Sequence, residues 1–186
     1  MYFSEDSKAA LIAHLRAYAV RTDGPFTLRS GEVSDWYIDA RQTTFDGAGA
    51  SLVGRCVGEV LPETVEAVGG MTMGADPIAV ATAVVLASSD RSLRAFSIRK
   101  AEKDHGVGGR LVGPVGPGDR VAVVEDTTTT GSALLEAIDA LQEVGVRVEV
   151  AVAVVDRSSG KVADLLDERG IPYVALVTPA DLGVGA

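Results

Sequence analysis

Apolar residues along this chain recur first at helical spacing and later in short continuous runs. Near the start, Leu11, Leu15 and Tyr18 fall on one face of a 3.6-residue period, and Ser4 or Asp6 is placed to cap the helix that this spacing predicts. Next, "RTDGPFTLRSGEVSDWYIDARQTT" interrupts short alternating runs with one proline and two glycines, the pattern of a β-hairpin or meander. Residues 47–61 read as a helix. Strands and helices then alternate: "TVEAVGG" strand, "DPIAVATAVVLAS" helix, "LRAFSIRK" strand, a glycine-rich stretch to Gly118, and "RVAVVED" strand. They continue with "SALLEAIDALQEVG" helix, "VRVEVAVAVVDR" strand, "SGKVADLLDERG" helix and "PYVALVT" as the last strand. In the helix opening at Ser132, Leu134, Ile138 and Leu141 keep one face apolar, and Gly145 stands where a left-handed cap is wanted.

The strands are near-continuous runs of valine and alanine, as expected when both faces of a parallel sheet are covered. The pattern therefore predicts an α/β fold: an open, mainly parallel sheet with helices on both faces, preceded by a small N-terminal elaboration over residues 1–45. No repeat or linker interrupts it, so residues 1–186 read as a single domain.

Open sheets of this kind bind ligands at the carboxyl ends of their strands. Those ends read as Gly69 and Gly70, Arg99 and Lys100, Glu125 and Asp126, and Asp156 and Arg157. Any strand must end on something polar, but four ends carrying paired glycines or adjacent charges point to one shared site.

The stretch "VAVVEDTTTTGSALLEAI" carries the clearest chemistry. Hydroxyls and backbone N–H groups from Thr127 to Ser132, at the start of a helix, suit a phosphate, because unsatisfied donors and the positive end of the helix dipole point the same way. Gly131 permits the tight backbone of such a cradle. Glu125 and Asp126 would repel that phosphate unless they face something else, and vicinal sugar hydroxyls suit a pair of acceptors. Together these features describe a site for ribose 5-phosphate. The same "TTTTGS" also fits a simple hydroxyl turn capping the helix. Other nucleotide motifs are absent: there is no G-x-x-x-x-G-K-[ST], and "GAGASL" at 47–52 lacks a third glycine and follows no strand.

Composition narrows the classes. Aromatic residues make up only 5% and the formal charge is −9, which argues against a base-stacking nucleic-acid binder and against an anionic membrane surface. Charge is uneven, however. Residues 91–120 hold seven arginines and lysines against three acids, an excess that marks either a local anion site or a solvated charged loop. Within it, Arg99, Lys100, Lys103 and His105 precede glycines at 106, 108 and 109, as in a lid of mobile donors that closes over an anion. The lone Cys56 lies in an apolar pattern and reads as a buried structural thiol in a reducing, cytoplasmic setting. The first twenty residues, with acids ahead of the apolar positions, read as neither a signal peptide nor a membrane span.

"VVEDTTTTGSA" resembles the phosphoribosyl-pyrophosphate (PRPP) binding motif of type I phosphoribosyltransferases. "RKAEKDHGVGG" resembles the catalytic loop of orotate phosphoribosyltransferases, and "FTLRSGEVSDWYID" and "VVDRSSG" resemble two further segments of that family. The resemblance runs in order over roughly residues 24–160. It implies the type I phosphoribosyltransferase fold with an N-terminal hood, a mobile catalytic loop over residues 99–113, and magnesium-dependent transfer of the phosphoribosyl group from PRPP to N1 of orotate. By the same resemblance, Glu125, Asp126, Thr127, Thr128, Thr129, Thr130, Gly131, Ser132 and Ala133 would hold the ribose and its 5-phosphate. Arg99, Lys103 and His105 would be catalytic, meeting the pyrophosphate. Lys100 would also bind PRPP, serving the partner subunit of a homodimer with shared active sites. Thr129, Arg157 and Arg29 would contact orotate; Arg157 also fits a surface ion pair with Asp156 or Asp164. Mg2+ would be held mainly through PRPP, with Asp126 a possible direct ligand.

Two departures from the family pattern stand out. Gly74 occupies the place assigned to a lysine in many members, and the acid pair is Glu-Asp instead of Asp-Asp. A uracil or purine phosphoribosyltransferase would share the PRPP motif without the "KDHGVGG" loop. A noncatalytic PRPP-sensing regulator would add a basic nucleic-acid surface, and none is evident.

Overall fold

The computed structural model describes residues 4–27, 31, 33–89, 91–101 and 109–185. The chain opens with helix α1 (Glu5–Tyr18), capped by Ser4, whose hydroxyl accepts from the Ser7 amide. Leu11 and Leu15 are fully buried, each contributing about 2 kcal/mol of apolar burial. Tyr18 does not share their face as the spacing suggested. It is 65% exposed, its ring turned outward beside that of His14 at 4.6 Å.

The hood is built from four two-residue strands. β1 (Val20–Arg21) pairs antiparallel with β4 (Tyr37–Ile38), and β2 (Phe26–Thr27) pairs antiparallel with β3 (Val33–Ser34). Two helices follow, the short α2 (Arg41–Thr44) and α3 (Gly47–Val60), the latter capped by the Asp46 carboxylate.

The remainder alternates. β5 (Ala67–Met71), α4 (Ala75–Ala87), β6 (Arg94–Ile98), β7 (Leu111–Val112), β8 (Arg120–Thr128) and α5 (Ser132–Glu143) come first. β9 (Arg147–Asp156), α6 (Lys161–Asp167), β10 (Tyr173–Val177) and α7 (Pro179–Leu182) complete it. The six-stranded sheet has the order β10-β9-β8-β5-β6-β7. It is parallel except for β7, which pairs antiparallel on β6.

Strand alternation sends side chains to two cores. Ala122, Val124, Val150 and Val152 pack with Leu11, Val53, Val57 and Ile78 from α1, α3 and α4. Val121, Val123 and Ala151 face the other way, against Leu134, Ile138, Leu141 and Leu166 from α5 and α6. Helices therefore cover both faces, as the valine and alanine runs predict. Gly145 takes the expected left-handed conformation after α5, with φ 77°.

Two strand ends differ from the reading of the sequence. Gly69 and Gly70 lie inside β5, which runs on to Met71. A Cβ on Gly69 would stand 2.2 Å from the Phe96 carbonyl oxygen, and one on Gly70 2.3 Å from that of Val124, so these glycines admit the close approach of neighbouring backbone. Glu125 and Asp126 likewise precede the end of β8, because the ladder to β9 continues to Thr128 opposite Asp156. β7 and α7 were not legible as elements: one is two residues long inside a glycine-rich stretch, and the other is four residues set by a Thr178–Asp181 capping box.

Candidate active site

The opening segment of α5 and the last turns of β8 build one wall of the site. Gly131, with φ 76°, turns the chain from the exposed Thr129 and Thr130 into the helix. Thr130 accepts from the Ser132 amide at 3.4 Å and bonds the Ser132 hydroxyl at 3.2 Å. The hydroxyl turn foreseen as an alternative is thus present, and it coexists with a cavity of about 990 Å³ lined by every residue from Thr127 to Leu134. Glu125 and Arg157 also line it, and the hood closes it with Thr27, Tyr37 and Ile38.

Thr128 behaves differently from its neighbours. It is 3% exposed; its hydroxyl donates to Asp156 Oδ1 at 3.0 Å and accepts from the Tyr173 hydroxyl at 3.0 Å. Asp156 Oδ1 also accepts from the Ser158 amide at 2.7 Å. This network ties the carboxyl ends of β8 and β9 to Tyr173, the first residue of β10, so the Thr128 side chain braces the cavity wall.

A second cavity, of about 670 Å³, meets the first at Glu125, Ser132 and Ala133. Its other walls are Arg41, Met71 to Gly74, Lys100, Asp126 and Glu136. Burial first, and then the neighbouring Asp126, push the Glu125 carboxyl up to about 8. Its Oε2 is buried with no hydrogen-bond partner among the described residues. Burial also raises Asp126, against the 2.7 Å bond that its Oδ1 accepts from the Thr127 amide. Two adjoining acceptors, one of them unsatisfied, are suited to ligand hydroxyl groups or a hard cation.

Of the cations read from the sequence, Lys100 borders the second cavity of its own chain. β6 ends beside β5, which sets Lys100 next to the Thr72–Gly74 wall and near Glu125 of its own chain. Arg99 lines neither cavity; its amide and carbonyl are bound to Arg110, whose guanidinium also pairs with Glu136. Arg99 and Arg110 are thereby clasped together beside α5. Lys103, His105 and Arg29 lie outside the described residues.

Arg157 enters the first cavity. Its amide donates to the Thr128 carbonyl at 2.8 Å, and its guanidinium lies 4.5 Å from the centre of the Trp36 ring. Neither Asp156 nor Asp164 pairs with it among the described residues. Its Nε is buried without a partner there, and burial lowers its pKa. An unpaired, half-buried guanidinium facing a cavity calls for an anion. Sequence reasoning did not single out Thr27, Trp36, Tyr37 or Ile38 individually. Their signals were the resemblance of "FTLRSGEVSDWYID" as a whole and the aromatic pair inside "SDWYID", which also suits an ordinary hairpin.

A helix-start cradle beside a carboxyl pair, at the carboxyl edge of a parallel sheet and under an N-terminal hood, defines the type I phosphoribosyltransferase class. No family model matches the chain. Among curated proteins, the orotate phosphoribosyltransferase of Streptomyces avermitilis is 40% identical over 181 residues, covering 97% of this chain and 99% of the relative. The orotate phosphoribosyltransferase of Mycobacterium tuberculosis, crystallised with Fe(III) dicitrate, superposes with a TM-score of 0.85 at 36% identity, over 96% of this chain and 99% of that one. Its complex with 5-phospho-α-D-ribosyl 1-diphosphate gives 0.80 at 34% identity over the same shares. The chain belongs to the orotate phosphoribosyltransferase family, enzymes of the glycosyltransferase class.

Proposed function

We propose that the two joined cavities hold one PRPP molecule with orotate beside it. The chain transfers the 5-phosphoribosyl group to N1 of orotate, yielding orotidine 5′-monophosphate and pyrophosphate in pyrimidine (UMP) biosynthesis. The observation that carries this reading is the meeting of the cavities at Glu125, Ser132 and Ala133, which gives a phosphate cradle and an acidic clamp a common border.

In this reading the backbone N–H groups and hydroxyls of Thr129 to Ala133 bind the 5-phosphate, and Glu125 and Asp126 orient the ribose hydroxyls. Arg157 takes the orotate carboxylate, and Tyr37 and Ile38 cover the base. Lys100 and Arg41 border the space left for the diphosphate, over which Arg99, Lys103 and His105 of the 99–113 loop would close. As the bond from C1 to the diphosphate breaks, the bonding pair leaves with oxygen and C1 gains positive character; N1 of orotate then forms the new bond. The chain's part is to position both substrates and exclude water.

Among the described residues no cluster of three or more metal-ligating side chains occurs. The hard oxygens of Glu125 and Asp126 fit Mg2+ carried mainly by the substrate's own oxygens, with Asp126 as the direct ligand. When bound, Mg2+ would supply charge neutralisation at the departing diphosphate.

A homodimer is part of the proposal, supported by the apolar face of α4, where Val80 and Val84 are 56% and 63% exposed. So are a single domain and a cytoplasmic setting, the latter resting on the lone Cys56, whose buried thiol burial pushes up to about 12. No helix among the described residues is long and apolar enough to cross a membrane.

The test is pyrophosphate release from PRPP with orotate, uracil and adenine in parallel, with Mg2+ and with EDTA. Release only with orotate, and only with Mg2+, is expected. Equal release with uracil or adenine would refute the base assignment.

A further inference from the structure

Trp36 lines neither cavity, yet it touches the residue on which base recognition turns. Its ring centre is 4.5 Å from the Arg157 guanidinium carbon, a separation at which the negative face of an indole attracts a cation. The indole is itself held in place. Ser34 Oγ donates to the Trp36 carbonyl at 2.8 Å and lies 3.3 Å from the Trp36 amide that donates to it. The half-buried ring packs against the core on the α1 side of the sheet.

Arg157 is therefore fixed at two points. Its backbone is tied to the end of β8 through Thr128, and its guanidinium rests on the hood through Trp36. Arginine is a long side chain with much rotamer freedom, and no carboxylate among the described residues restrains this one. The indole is what keeps the planar fork at the cavity wall while its Nε waits, buried, without a partner there.

We infer that Trp36 is a positioning residue for base selection: it preorganises Arg157 so that the guanidinium meets a ring carboxylate of the incoming base in fixed geometry. The inference rests on the base assignment made under the proposed function. It adds that the hood residue behind the arginine, and not the arginine alone, sets discrimination between a base bearing a carboxylate and one lacking it.

Trp36 is the only tryptophan in the chain, so its emission reports on this contact. The experiment compares steady-state kinetics of wild type, Trp36→Leu and Trp36→Phe. Alongside, wild-type protein and Arg157→Ala are titrated with orotidine 5′-monophosphate and with uridine 5′-monophosphate while tryptophan emission is followed. Expected are an orotate KM raised about tenfold or more in Trp36→Leu and a PRPP KM within about twofold, with most of the loss recovered in Trp36→Phe. Emission should change with orotidine 5′-monophosphate and not with uridine 5′-monophosphate, and the change should vanish in Arg157→Ala.

An unchanged orotate KM in a folded Trp36→Leu would overturn the inference, as would equal emission changes with the two nucleotides. Should Trp36→Leu fail to fold, the emission titrations and Trp36→Phe decide. Wild-type protein that uses uracil as readily as orotate would overturn the base assignment, and this inference with it.

Discussion

A Cβ built on Gly74 would stand 3.0 Å from Oδ1 of Asp126, and 3.4 Å from Oε1 of Glu125. The backbone at Gly74 is ordinary, with φ −60°, so space and not conformation limits a side chain, and Asp126 must give by a few tenths of an ångström to admit one. Asp126 can yield only by loosening the 2.7 Å bond from the Thr127 amide to that same oxygen. Gly74→Ala and Gly74→Lys should therefore raise the KM for PRPP about tenfold, a loss of about 1.4 kcal/mol typical of mild overpacking. Initial rates at varied PRPP check this. A lysine variant with a lower KM would mean that the carboxyl swings aside freely and that the cation is simply welcome.

Arg41 supplies positive charge to the same cavity from the hood side. Its Nε donates to Asp39 at 2.7 Å, which leaves its two terminal nitrogens without a hydrogen-bond partner among the described residues, and Asp126 is near enough to raise its pKa further. Arg41→Gln should raise the PRPP KM and weaken inhibition by pyrophosphate, each about tenfold, as expected for loss of one charge-assisted contact. The orotate KM should move little. Parallel shifts in both substrates would instead mark a general disturbance of the hood.

How much of this was readable in advance follows from what each residue's signal depends on. The Glu125–Ala133 segment announced itself because a strand, two acids, a hydroxyl run and a glycine lie in consecutive positions, and local order is what sequence patterns report. The joining of its cavity to that of Lys100 and Gly74 follows from the order of β8, β5 and β6 in the sheet, which residue spacing does not encode. Thr128 was read with its neighbours, although register with β9 turns its hydroxyl to Asp156. Trp36 and Arg157 lie 121 positions apart, and neither residue type foretells the other.

Glu125 makes stability depend on pH in the ligand-free protein. Its folded pKa is raised from 4.5 to about 8, so between those values the native state binds more protons than the unfolded state. The stabilisation it contributes is full below about 4.5 and is lost as pH rises through about 8. Glu125→Gln stays neutral throughout. In EDTA, the Tm of the variant relative to wild type should increase from pH 4.5 to 8 and then level off, by several degrees in all, corresponding to a few kcal/mol. A difference independent of pH would show that the carboxyl is ionised in the folded state across this range.

The Thr128, Asp156 and Tyr173 network separates stability from catalysis. Tyr173→Phe removes one donor and leaves Thr128 bonded to Asp156, so it should cost about 1 kcal/mol by denaturant unfolding, with orotate and PRPP KM nearly unchanged. Asp156→Ala strands the Ser158 amide in buried surroundings and takes one of the two partners of the Thr128 hydroxyl, so it should cost about 3 kcal/mol. Because Arg157 follows directly, Asp156→Ala should also raise the orotate KM. Equal, small losses for the two variants would mean that water replaces the missing partners.

The α4 face offers a direct test of assembly. After Asp76 the helix carries no charge to its end, and Val80 and Val84 lie one turn apart on its exposed side. A helix apolar on every side is normally covered on every side, and here the sheet and α3 cover only part of it. If a second copy covers the rest, Val80→Glu with Val84→Glu should bring the mass by light scattering down to the 19.2 kDa of one chain. In a homodimer with shared active sites the 99–113 loop would then lose the partner's site that it serves, so turnover should fall steeply while affinity for orotidine 5′-monophosphate is largely kept. A double variant that stays dimeric moves the interface elsewhere; a wild-type protein that runs as a monomer at assay concentration removes the shared-loop mechanism, and the loop must then close over its own chain.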